Sequence, residues 1–286
     1  MEQVIKTPSL CAGRLTWRPS RLAVLLGIVA ALVIVALLAP LISPYDFEAM
    51  ASGPRLSPPS WAHWFGTDEF GRDIFSRILM GTRLTLMVGL VSVGVSLGFG
   101  MLIGLIAGYC GGWPEKLLMR GMDVLFSFTE IVIALSLVAV LGPSLENAML
   151  AIGIAAIPFY ARVCYGAVLV EKKQVYVEST IALGASHFRV LFVHILPNVV
   201  PVMLVVATIG LSNAILATSG LSYLGLGAQP PSPEWGAMLA SSKNYFQRAP
   251  WLLMIPGGCI VLIVLLFNVL GEQLRSVLDP RRKGES

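Results

Sequence analysis

Long apolar runs separated by short polar stretches dominate this chain. Leu22 to Ile42 carries no charge and covers about 30 Å as a helix, enough to cross a bilayer. The same pattern predicts further membrane-spanning helices at about 84–108, 121–142, 147–167, 199–217 and 251–271. Between the first two spans lies a polar segment, 43–83, rich in proline and tryptophan. Within it Phe70, Ile74, Phe75 and Ile78 share one face of a short helix expected from about Gly71 to Met80. Asp68 is placed to cap the turn before that helix, and Asp73 and Arg77 have i,i+4 spacing for an ion pair.

Composition supports the membrane assignment. The chain has 286 residues, 56% hydrophobic and 13% charged, with a mean hydropathy of +0.79. Soluble domains carry about 25% charge. The net charge of +4 is explained by loops facing the cytoplasm and requires no nucleic acid. If both ends are cytoplasmic, 14 of the 20 lysines and arginines fall inside. This bias gives an N-in, C-in topology, with tails at 1–21 and 272–286 and a cytoplasmic loop at 168–197. The first apolar run lacks a small-residue cleavage site before Pro40, so it reads as a retained span.

Particular residues refine the spans. In the second, Gly94–Gly98, Gly100–Gly104 and Gly104–Gly108 are each four apart, the interval for close helix packing in lipid. Pro143-Ser144 marks a tight external turn. Pro158 is expected to kink the fourth span or free a carbonyl, and Pro256-Gly257-Gly258 to break the sixth near its start. Asp123 lies near the cytoplasmic end of the third span, whereas Glu130 lies deeper. A carboxylate in lipid faces a cavity or a partner, so Glu130 is a candidate lining of a translocation path, with a structural hydrogen bond as the alternative. Asn213 is the strongly polar member of the fifth span.

The 176–198 stretch, YVESTIALGASHFRVLFVHILPN, is a long polar interruption. Its small residues allow close backbone approach by a partner. Gly184 suits the end of a short helix, and Pro197 the beginning of the next. Glu178-Ser179-Thr180, Gly184, His194 and Leu196-Pro197 resemble the cytoplasmic coupling loop of bacterial ABC importer permeases. Small residues replace the family's alanines, and His194 stands where the general pattern has isoleucine. The ending His194-Ile195-Leu196-Pro197-Asn198 is most similar to the peptide-importer branch and its second, C-type permease. Two external passages also resemble that branch: Gly66-Thr67-Asp68 with Gly71-Arg72-Asp73, and Leu221-Ser222-Tyr223-Leu224-Gly225-Leu226-Gly227. Where many members carry an acid just before the latter, this chain has Thr218-Ser219-Gly220.

The resemblance implies an all-α membrane protein of six transmembrane helices with the type I ABC importer permease fold. It also implies a bacterial inner-membrane location and a channel shared with a homologous permease. Further implied partners are two ATPase subunits, which bind ATP and Mg, and an external substrate-binding protein. Glu178, Ser179, Thr180, Gly184, Ala185, Leu196 and Pro197 would dock against an ATPase. Relatives of this branch carry peptides, nickel, glutathione, glycosides or opines.

No nucleotide-binding glycine loop is present, so phosphoryl chemistry belongs to partners. His63, His187 and His194 are not spaced as metal ligands, and Cys11, Cys110, Cys164 and Cys259 show no metal or disulfide spacing. The chain is therefore expected to be non-catalytic, with no metal or cofactor of its own. A membrane enzyme using Glu130 and His194 is disfavoured because the topology puts them at different levels. A scaffold or ion-driven carrier is the remaining alternative, against which the scarcity of ionisable residues in the spans argues.

Overall fold

The computed structural model describes residues 21–278. The expected tails, apart from Arg21 and 272–278, lie outside the described residues, as does Cys11. The described residues form helices α1 (Arg21–Ile42), α2 (Ile74–Cys110), α3 (Gly112–Phe126), α4 (Glu130–Leu141) and α5 (Leu145–Lys172). They continue as α6 (Val175–Ala182), α7 (His187–Arg189), α8 (Leu196–Tyr223), α9 (Trp235–Ser242) and α10 (Trp251–Leu278). Five helical stretches are long and apolar enough to cross a membrane, or six if the bent pair α3–α4 counts as one span.

Helices α2 and α5 share the most extensive packing in the molecule. The reason lies in a stripe of glycines. A Cβ on Gly100, Gly104 or Gly108 would sit 2.5, 2.6 or 2.8 Å from atoms of α5. Hydrogen in place of a side chain lets the two backbones meet, and dispersion replaces the hydrophobic drive that lipid does not supply. Gly94 and Gly98 meet nothing within 4 Å, so only part of the glycine pattern belongs to this contact. Helices α8 and α10 pack beside this pair and α1 lies against α2 and α10, largely exposed.

Several element boundaries differ from the expected ones. The short external helix and the second span are one helix. Asp73 caps it by accepting from Ser76 N–H at 2.8 Å, and no helix breaker follows before Cys110. The third span is not straight: α3 and α4 bend by 87° at Ser127–Thr129. The Ser127 hydroxyl donates to the Val124 carbonyl and Thr129 adopts an extended backbone, so the helix is interrupted and restarts at Glu130. The fourth span extends to Lys172.

Proline acts only partly as expected. Pro197 is the second residue of α8, as expected, but no break precedes it. The chain is helical from His187, widens to π geometry over Val190–Ile195, and continues as α8 through Pro197. The wider turn lies over Val193, the carbonyl with which an α-helical proline would clash. Pro256 does not break α10. The carbonyl it would leave unpaired, that of Leu252, accepts from Ser242 Oγ at 2.9 Å. Pro158 lies inside a continuous α5. At the external turn Ser144 caps α5, accepting from Asn147 N–H at 3.1 Å.

Candidate functional site: an interhelical loop, an external clamp and a cavity at a helix bend

The polar residues singled out in the sequence fall in three places. The first is the loop between α5 and α8. Helix α6 is anchored by Val177, which is fully buried. Tyr176 adds a tie: its hydroxyl donates to Glu171 and accepts from the Asn198 amide at 2.8 Å. Burial, then the Glu171 carboxylate, push the Tyr176 phenol up to about 12, so it remains a donor at neutral pH. Gly184, at φ +82°, ends the helix in the left-handed region. Its N–H donates to Ile181 O at 2.9 Å and that of Ala185 to Thr180 O at 3.3 Å, the double closure of a Schellman turn. Glu178, Ser179, Gly184 and Pro197 are exposed, whereas Thr180, Ala185 and Leu196 are half-buried. Leu183 is 88% and Phe188 72% exposed. The loop therefore offers an apolar knob around a glycine with open space beside it.

The second place is the external segment. Asp68 accepts from the Phe70 and Arg72 N–H groups and pairs with the Arg72 guanidinium at 2.5 Å. Thr67 accepts from Ser57 N–H at 3.0 Å and donates to Pro54 O. Gly66 and Gly71 have positive φ, and a Cβ on either would collide with backbone carbonyls of 53 or 57. Asp73 does not pair with Arg77. It holds His63 at 2.9 Å, while Arg77 donates to Phe47 O, Pro231 O and Ser232 O, each at 3.2 Å. A backbone carbonyl cluster is a better match for a five-donor guanidinium than one already occupied carboxylate. Glu234, almost fully buried, caps α9 by accepting from Gly236 and Ala237 N–H at 2.9 and 2.8 Å, with Ser219 at 3.5 Å. Burial raises its carboxyl above the ordinary range, against the lowering effect of these donors.

The third place is the α3–α4 bend. Glu130 and Asn213 come together there, on α4 and α8. A cavity of about 390 Å³ at the bend is lined by both, with Phe126, Phe128 and Phe159. Two smaller cavities, about 220 and 40 Å³, share the same two residues. Glu130 occupies the first turn of α4, where helix N–H groups favour negative charge. Asp123 is elsewhere: it pairs with Arg162, whose guanidinium stacks on Phe126.

The sequence did not single out Arg77 as a clamp, Glu234, Tyr160 or His63. Glu234 had one legible signal, an acid directly before an apolar helix. The Arg77 contacts to Pro231 and Ser232 join segments far apart in the chain, and His63 meets Asp73 only through the fold of the loop between them.

The family model described as "Binding-protein-dependent transport system inner membrane component" matches residues 100–284. The chain belongs to this family. This makes it an inner-membrane permease subunit of a bacterial ABC importer, multi-pass in the membrane. The dipeptide transport system permease protein DppC of Alkalihalophilus pseudofirmus is 43% identical over 267 residues, 93% of this chain and 88% of the relative. The glutathione transport system permease protein GsiD of Pectobacterium atrosepticum is 45% identical over 253 residues, 88% and 84% of the two chains. Among solved structures, an inward-facing MetNI methionine ABC transporter matches with a TM-score of 0.59 at 18% identity. The match covers 71% of this chain and 96% of that one, and shows the type I importer permease fold.

Proposed function

We propose that this chain forms one half of the channel of an ATP-driven importer of di- or oligopeptides, alongside a homologous permease. The observation that carries the reading is its 43% identity, across nearly the whole chain, to a permease named for dipeptide transport. In this reading the chain catalyses nothing itself. Two ATPase subunits bind ATP and Mg, and an external binding protein delivers the peptide. Glu178, Ser179, Thr180, Gly184, Ala185, Leu196 and Pro197 form the seat for an ATPase, with Leu183 and Phe188 as the exposed apolar anchors. ATP-driven closure of the ATPase pair moves α6, and α8 follows because Tyr176 and Asn198 tie them together. Glu130 and Asn213 line the path. The external motif Gly66-Thr67-Asp68 and Gly71-Arg72-Asp73 holds the outer segment on α2, an architectural role.

A second reading, glutathione as cargo, is favoured by the 45% identity to a glutathione permease. Both cargoes are peptides with free termini. The test is ATP-driven uptake by the reconstituted complex, with binding protein loaded from a panel of di- and oligopeptides, glutathione and nickel chelates. Peptide-stimulated hydrolysis with matching uptake is expected. Stimulation by nickel chelates alone, or by no cargo despite intact basal hydrolysis, would overturn the peptide assignment.

A further inference from the structure

Charge at the α3–α4 bend is unbalanced. Glu130 is the one acidic or basic side chain lining any of the three cavities there, among the described residues. Its carboxylate makes no hydrogen bond or ion pair with the described residues, and neither does the Asn213 amide. Elsewhere in the protein the comparable carboxylates are occupied: Asp68, Asp73, Asp123 and Glu234 each hold a cation, N–H groups or both. Glu130 is exposed on this chain, and a carboxylate in a membrane protein that has no partner of its own faces a wet cavity, another subunit or a ligand.

The neighbouring groups restrict what that partner is. Tyr160, 2% exposed, lines the smallest cavity with Glu130 and Asn213, and its hydroxyl has no hydrogen-bond partner. That hydroxyl lies over Gly210, where a Cβ would stand 1.8 Å away, so the glycine preserves its place. Phe128 and Phe159, both exposed, line the largest of the three cavities at the bend. One anion, neutral hydrogen-bonding groups and aromatic faces together suit a small ammonium ion: the carboxylate neutralises it, and the amide oxygen, hydroxyl and rings solvate it. The set lacks any donor cation for a carboxylate.

We infer that Glu130, Asn213 and Tyr160 receive the α-ammonium group of the peptide as it crosses the membrane, so the substrate passes with its amino end toward α4. This inference rests on the peptide-importer reading above. The bend is what makes the site possible. A straight third span would place Glu130 within a helix, while the restart at residue 130 places it at an N-terminus, where its charge is favoured and side chain and cavity meet.

The experiment uses the full complex in proteoliposomes with loaded binding protein and lysine-free peptides. The peptides carry a benzophenone amino acid at the amino-terminal or the carboxyl-terminal position. Wild type, Glu130→Gln and Glu130→Asp are compared for uptake, subunit co-purification and crosslinking to this chain. Expected is crosslinking at the α3–α4 bend from the amino-terminal label, lost in Glu130→Gln. Uptake should fall about tenfold or more in that variant and recover partly in Glu130→Asp, with assembly unchanged. Wild-type uptake of none of the peptides sinks the peptide-importer reading itself. With wild-type uptake intact, three results overturn only the ammonium site. They are normal uptake by Glu130→Gln, crosslinking at the bend from the carboxyl-terminal label instead, or loss of the partner permease from Glu130→Gln, which would assign the countercharge to that subunit.

Discussion

The external clamp and the cavity at the α3–α4 bend both hold polar side chains in a protein that has few, yet they are opposites. In the clamp every acid is spoken for. Asp68, Asp73 and Glu234 accept from backbone N–H groups at helix or turn starts, and Arg77 reaches three carbonyls in two distant segments. At the bend Glu130, Asn213 and Tyr160 line one cavity, and none of their side chains has a hydrogen-bond partner among the described residues. Satisfied polar groups hold a fold in one arrangement, because each lost partner leaves a desolvated group behind. Unsatisfied ones are free to meet water, a partner or a ligand. In the function proposed above, the clamp is architecture and the cavity lines the path.

The comparison breaks most visibly at Arg77. Arg77→Ala leaves the carbonyls of Phe47, Pro231 and Ser232 without their donor and should cost about 3 kcal/mol. The expected result is a large drop in melting temperature and folded yield in detergent. A variant as stable as wild type would show that the clamp carries no load. Next comes Gly184→Leu, which forces a side chain into the left-handed region and onto the surface proposed above as the ATPase seat. Uptake per ATP hydrolysed should fall about tenfold while the chain still inserts, and unchanged uptake in liposomes would remove this glycine from the coupling seat.

Asp73→Ala should cost about 2 kcal/mol, from the lost α2 cap and the released His63, as read from thermal unfolding. Glu130→Gln, by contrast, should change stability by less than about 1 kcal/mol, since no contact within the chain is lost. Equal destabilisation by the two would erase the distinction between clamp and cavity. The smallest effect is at Glu234. Its carboxyl is raised in the folded state, so its contribution to stability is greatest below the ordinary carboxylate value and declines as pH rises through the raised one. The melting temperature of Glu234→Gln relative to wild type should therefore improve from acid to neutral pH, and an opposite trend would mean the capping N–H groups outweigh burial.

These contrasts also explain what the sequence could reveal. Charge-free runs of about 20 residues announce spans because lipid tolerates little else, and the 178–197 motif with its glycine and proline announced the family. Gly100, Gly104 and Gly108 pack as their spacing announced, but Gly94 and Gly98 have the same spacing and meet nothing, so spacing showed the contact without its extent. The break at Ser127–Thr129 did not show, because two hydroxyl residues flanking Phe128 in an apolar window do not distinguish a bent span from a straight one. Arg77 did not show its partners either. An Asp four residues earlier is the obvious candidate by local spacing, whereas Pro231 and Ser232 are more than 150 residues away and contribute only backbone oxygen. Pro256 looked like a breaker because Ser242, which satisfies the freed carbonyl, lies on another helix.

The most direct measurement is peptide uptake alongside ATP hydrolysis in proteoliposomes containing the complete importer, comparing wild type with Glu130→Gln. The predicted result is a complex that assembles and hydrolyses ATP normally while peptide uptake falls about tenfold or more. Uptake equal to wild type, or a parallel loss of assembly and hydrolysis, would contradict the division between a clamp that holds and a cavity that carries.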